Sequence, residues 1–133
     1  MMKNNAQVTG NAGLYFVCYN LSLCGWNVIP TSRNARGVDI IAYNSDCRQT
    51  ISIQVKTLSR RNPVPLGRSV EGLMGNYWVI VTDIWNSPKA YIMKPEDVRK
   101  NAHRGERDGR VSYWLQPKSY EGFRENWGIL PES

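Results

Sequence analysis

The chain has 133 residues, 41% hydrophobic and 21% charged, with a formal net charge of +6. At this length a chain buries roughly two thirds of its unfolded surface, so a single soluble domain over residues 1–133 is expected, and the composition excludes a disordered chain. No apolar run approaches the roughly 20 residues that span a bilayer, and Met1-Met2-Lys3-Asn4-Asn5 leads into no apolar signal core, which argues against export.

The cysteines, Cys18, Cys24 and Cys47, are odd in number and form no CxxC pair, which argues against a zinc knuckle or a disulfide framework. A reducing cytoplasm is the expected compartment. The charge is unevenly placed: residues 1–68 hold eight basic and two acidic side chains, and the rest of the chain is balanced at nine of each. A local positive field suits a polyanion such as nucleic acid.

In chain order, Thr9 is the predicted cap of a helix running to about Leu23. Its buried stripe is read from Leu14, Val17, Cys18 and Leu21 at helical spacing, and Gly25 ends it. Trp26 to Ile29 reads as a strand stopped by Pro30, and residues 31–37 as a polar, basic loop. Two strands follow, Val38 to Tyr43 and Thr50 to Thr57, joined by a turn over residues 44–49. If Tyr43 faces Thr50, then Ile41 faces Ser52 and Asp39 faces Gln54. That register places Asp39, Gln54 and Lys56 on one face and Val38, Ile40, Ala42, Ile51, Ile53 and Val55 on the other. A slip of one residue would bury the polar set, so the hydrophobic pattern itself selects the pairing.

Residues 58–76 read as a long functional or mobile loop. Tyr77 to Thr82 is the most apolar strand, with Tyr77 and Trp78 in the core, and Lys89 to Met93 is a further strand. Pro95 opens a short helix with Glu96 and Asp97 at its positive end and Arg99 and Lys100 at its negative end. Residues 103–110, including the single histidine His103, read as a charged loop. Ser112 to Leu115 is a last strand, and residues 120–127 a small helix, with Trp114 and Trp127 as packing residues. The order specifies a mixed α/β domain whose sheet is covered by helices.

Gly37-Val38-Asp39-Ile40-Ile41 followed by Ile53-Gln54-Val55-Lys56-Thr57 resembles the two halves of the PD-(D/E)XK nuclease motif. The preceding helix, with Gly10-Asn11-Ala12-Gly13 at its start and Gly25-Trp26 after it, is similar to small Holliday-junction-resolvase-like and restriction-endonuclease-like members of that superfamily. The resemblance covers roughly the first 82 residues. It implies a restriction-endonuclease-like α/β fold with a mixed central sheet flanked by helices. It also implies hydrolysis of DNA phosphodiester bonds in recombination, repair, restriction or phage defence, with Mg²⁺ or Mn²⁺ as cofactor.

Carried onto this chain, the motif makes Asp39, Gln54 and Lys56 the catalytic set. Asp39, Gln54 and the Val55 carbonyl would hold the metal. Arg33, Arg36, Arg60, Arg61 and Arg68 are candidate phosphate contacts. Two positions depart from the pattern: Gln54 stands where an acid is common, and Leu14 where many relatives carry a helix glutamate, so metal binding is expected to be weak or substrate-dependent. Glu71 in the long loop is a candidate for the lost carboxylate, set against its plainer reading as a solvated loop acid. A homodimer would suit cutting two strands, although no interface is visible in the sequence. The alternatives are a catalytically weakened nuclease fold that only binds nucleic acid, and a protein-interaction module reusing that fold.

Overall fold

The computed structural model describes residues 5–32 and 36–133. Helix α1 spans Ala6–Leu23. Its cap is Asn5, whose Oδ1 accepts the Val8 N–H at 2.9 Å. Thr9, the expected cap, lies one turn inside and is buried. The buried stripe is Thr9, Gly13, Val17 and Leu21, at a strict spacing of four. Leu14 and Cys18 flank it half-buried, so the helix is rotated by about one position from the expected packing. Gly25, at φ +93°, takes the left-handed conformation that ends the helix.

The main sheet contains β1 (Asn27–Pro30), β2 (Ile40–Tyr43), β3 (Thr50–Thr57), β5 (Tyr77–Thr82) and β6 (Lys89–Met93), in the order β1-β2-β3-β5-β6. All neighbours are antiparallel except β3 and β5. The expected register holds: Tyr43 pairs with Thr50 and Ile41 with Ser52. A parallel pair requires a crossover, which residues 58–76 supply. That segment is more than a loop, because it carries β4 (Val64–Gly67).

A second sheet, ordered β4-β8-β7, is built from β4, β7 (His103–Arg107) and β8 (Arg110–Leu115). The charged segment expected as a loop is therefore a hairpin. Asp108 at φ 53° and Gly109 at φ 77° form its two-residue turn, and positive φ at both positions matches the twist of the flanking strands. Helix α2 spans Pro95–Asn101 with the expected proline start and end charges. The chain closes with α3 (Pro117–Tyr120) and two short 3-10 turns, in place of one helix over 120–127.

Alternation along the central strands produces two cores. On one face Val79 and Val81 of β5 and Ile51 and Ile53 of β3 pack with Val17 and Leu21 of α1. On the other, Trp78, Ile80, Tyr91 and Met93 pack with Val64, Leu115, Val98 and Tyr120 from the second sheet and the small helices. The fold is thus a mixed α/β sheet flanked by helices, as expected. No described helix is long and apolar enough to cross a membrane.

Candidate active site

β2 begins at Ile40, so antiparallel pairing leaves the last residues of β3 without a β2 neighbour. Asp39 stands at that corner. Its backbone is fixed from both sides: Asp39 N–H donates to the Ile53 carbonyl at 2.8 Å, and Thr31 N–H donates to the Asp39 carbonyl at 2.9 Å. The Thr31 hydroxyl also donates to the Val38 carbonyl at 2.6 Å. Gly37, at φ +74°, lies against Met74, with no room for a Cβ.

The Asp39 carboxylate bridges to β3. Its Oδ2 accepts the Val55 N–H at 2.7 Å and the Gln54 Nε2–H at 3.0 Å. Oδ1 accepts no hydrogen bond among the described residues and remains available to a ligand. In an extended strand the N–H and C=O of one residue point to the same edge. The Val55 carbonyl therefore leaves β3 on the side where its N–H meets Asp39.

Asp39, Val55, Lys56 and Thr57 line a cleft of about 580 Å³ with Thr31 and Ser32 and with Gln7, Gly10, Asn11 and Leu14 of α1. Lys56 leaves β3 toward the face opposite α1, in register with Ile80. Its ammonium lies 5.6 Å from the centroid of the Trp78 ring, a contact that favours a cation. No ion pair joins Lys56 to Asp39 among the described residues.

The structure joins Asp39 and Gln54 by a hydrogen bond, while Lys56 borders the same cleft with its ammonium turned toward Trp78. Gln54 does not line the cleft wall; it reaches the site through Asp39. Leu14 does face the cleft, at the place anticipated for a missing helix acid. Gln7 and Asn11, on the same α1 face, were not singled out by sequence reasoning; the successive spacings of four and three residues from Gln7 through Asn11 to Leu14 are the signal that marks them. Glu71 is exposed, with its N–H on Ser69 Oγ, and takes no part in the cleft.

The five arginines separate. Arg36, Arg60 and Arg68 are exposed. Arg61 is engaged with Glu121 at 3.2 Å. Arg33 lies outside the described residues. Trp114 is 38% exposed instead of packed, because it sits on the outward face of β8. Cys18 is half-buried, and burial pushes its thiol pKa up, against a nucleophilic role.

As a cation site, the corner offers oxygen donors only: Asp39 Oδ1, the Val55 carbonyl and the Gln54 Oε1 left free by the Nε2 contact. No group of three or more His, Cys, Asp or Glu able to hold a metal occurs among the described residues. Such a set fits a hard ion that keeps most of its water, and does not fit zinc.

No protein-family model matches the chain, and no curated protein matches it in sequence. Among solved structures it is similar to a bacterial homing endonuclease, I-Ssp6803I. The TM-score is 0.64 at 15% identity, covering 96% of this chain and 91% of that one. The chain shares the fold of that structure. At 96% of this chain, the aligned region extends well past Thr82.

Proposed function

We propose that the protein is a Mg²⁺- or Mn²⁺-dependent DNA endonuclease of the PD-(D/E)XK type, with Asp39, Gln54 and Lys56 as its variant motif. The observation that carries this reading is the Asp39 carboxylate, pinned through Oδ2 and open through Oδ1, in a cleft it shares with Lys56. The likeness to a homing endonuclease supports the same chemistry.

Asp39 Oδ1, the Val55 carbonyl and Gln54 Oε1 would hold the ion. When bound, it lowers the pKa of a coordinated water and neutralises charge on the phosphate oxygens. Lys56 donates its ammonium protons to the phosphate oxygens as charge builds at phosphorus, and orients the attacking water. Water oxygen bonds to phosphorus as the bond to the leaving oxygen breaks. Asp39 is rigid before substrate arrives, so the arrangement costs little reorganisation. With one carboxylate at the corner, the substrate phosphate supplies part of the negative charge that holds the ion.

The test is cleavage of plasmid and branched DNA with Mg²⁺ or Mn²⁺, with Asp39→Ala and Lys56→Ala alongside. Each substitution should lower the rate by at least about 100-fold, the range typical of a lost charge-stabilising group. Cleavage that survives both changes overturns the site. Salt-sensitive DNA binding without cleavage would assign the chain to nucleic-acid binding alone, and no DNA affinity at low salt to protein interaction.

A further inference from the structure

The β7–β8 hairpin carries an asymmetry that the cleft does not explain. Cross-strand partners share a face, so His103, Gly105 and Arg107 lie on the same side as Trp114, Ser112 and Arg110. A hydrogen bond from Trp114 Nε1 to Ser112 Oγ at 3.0 Å marks this side. The other side carries Arg104 and Glu106, which form an ion pair at 3.3 Å, and leads to the buried Leu115. The outward side thus keeps its charge while the inward side cancels its own.

On the outward side Arg107 sits directly opposite Arg110. Like charges placed opposite one another destabilise a strand pair, and neither arginine has an ion-pair partner among the described residues. Asp108 is the one acid beside them, at the turn, in a shallow depression lined with Arg107, Arg110 and Ser112. Arg68 adds a third arginine, bordering Arg110 across Gly109 and Val111. Gly105 opposite Ser112 keeps the middle of the face low, and both strands are exposed toward the tip.

We infer that this hairpin inserts into the major groove of duplex DNA, with Arg107, Arg110 and Arg68 on phosphates at its rim. This rests on the nuclease reading above and assigns the element that would seat its substrate. A two-stranded antiparallel ribbon fits the roughly 12 Å width of the B-form major groove. The repulsion between Arg107 and Arg110 is relieved when phosphates stand between them, so the unfavourable pair becomes favourable on binding. The deep, narrow major groove of A-form RNA does not admit the ribbon.

The test is fluorescence anisotropy with a labelled 30-bp DNA duplex, in EDTA, over 50–200 mM salt. For Arg107→Ala/Arg110→Ala the slope of log K against log salt should fall by roughly 0.9 per lost phosphate contact, close to 2 in all. Near 0.1 M salt, affinity should drop on the order of tens-fold. Arg107→Lys/Arg110→Lys should keep the wild-type slope. Unchanged affinity and slope in the alanine variant, with cleavage still abolished by Asp39→Ala, overturns the hairpin and leaves the nuclease reading intact. Ribbon-dependent binding without any cleavage does the reverse. Failure of the wild type to bind duplex DNA overturns both, and an equal loss on duplex RNA overturns the groove assignment.

Discussion

Gln54 does at Asp39 part of what a cation would do. Its Nε2–H, with the Val55 N–H, places positive dipoles on Oδ2 and holds the carboxylate in one orientation. Gln54→Glu keeps the shape and removes that donor, leaving two carboxylates about one hydrogen bond apart. Like charges at that distance oppose each other's ionisation, and the lost hydrogen bond to a charged group is worth about 1.5–3 kcal/mol. The variant should therefore unfold at lower denaturant than wild type in EDTA. It should recover in Mn²⁺, because a ligand that binds only the native state stabilises it by mass action. Thermal and denaturant unfolding with EDTA and with Mn²⁺ measures both effects. A variant whose stability ignores Mn²⁺ would show that Gln54 lies outside any metal shell. The same logic applies to Asn11→Asp on the facing helix, where an added carboxylate in the cleft should tighten Mn²⁺ binding severalfold.

The cleft exists because α1 approaches β3 closely, and Gly13 permits it. A Cβ built on Gly13 would lie 1.8 Å from Thr57 Oγ1 and 2.6 Å from Thr57 Cβ, so rotating the threonine cannot relieve the overlap. Gly13→Ala gains about 1 kcal/mol in helix propensity but overpacks the interface, at a cost of about 1–3 kcal/mol. The net expectation is a lower denaturant midpoint and reduced cleavage, as Gln7, Asn11 and Leu14 move off the cleft. A midpoint equal to or above wild type would mean that the helix shifts freely. The sequence carries no direct sign of this contact. It does carry the β2–β3 pair: strict alternation around Asp39, Gln54 and Lys56 left one register that kept the polar set out of the core. The helix was legible in its extent but not its rotation, because Leu14 and Cys18 are more apolar than Thr9 and Gly13, which take their place against the sheet. The second sheet was hidden for a different reason. β4 is short, contains Pro65 and pairs with a strand some fifty residues away, and such pairing leaves no local periodicity. The hairpin had a local signature in Asp108-Gly109, outweighed by the charges around it.

Two cores on opposite faces of one sheet divide the labour. The α1 face shapes the cleft, and the opposite face anchors the second sheet and the hairpin. Tyr120 sits at the centre of the second core, fully buried, edge-on to Tyr91 at 4.7 Å between ring centroids. Its hydroxyl donates to the Asn62 carbonyl at 2.8 Å, which ties the C-terminal turns to the crossover. Burial first, and then the neighbouring Tyr91 hydroxyl, pushes the Tyr120 phenol up to about 12. In the unfolded chain a tyrosine ionises near pH 10. The folded state holds the proton where the unfolded state releases it, so this group's contribution to stability is intact below about pH 10 and is lost as pH rises toward 12. Tyr120→Phe removes both the hydrogen bond and the titration. At pH 8 the variant should be less stable than wild type by about 1 kcal/mol. Between pH 10 and 12 the gap should close, since only the wild type carries this ionisation. Denaturant midpoints of both proteins at pH 8, 10, 11 and 12 decide the matter. Parallel curves across that range would mean that Tyr120 ionises as easily folded as unfolded, and that the second core admits water where the structure closes it.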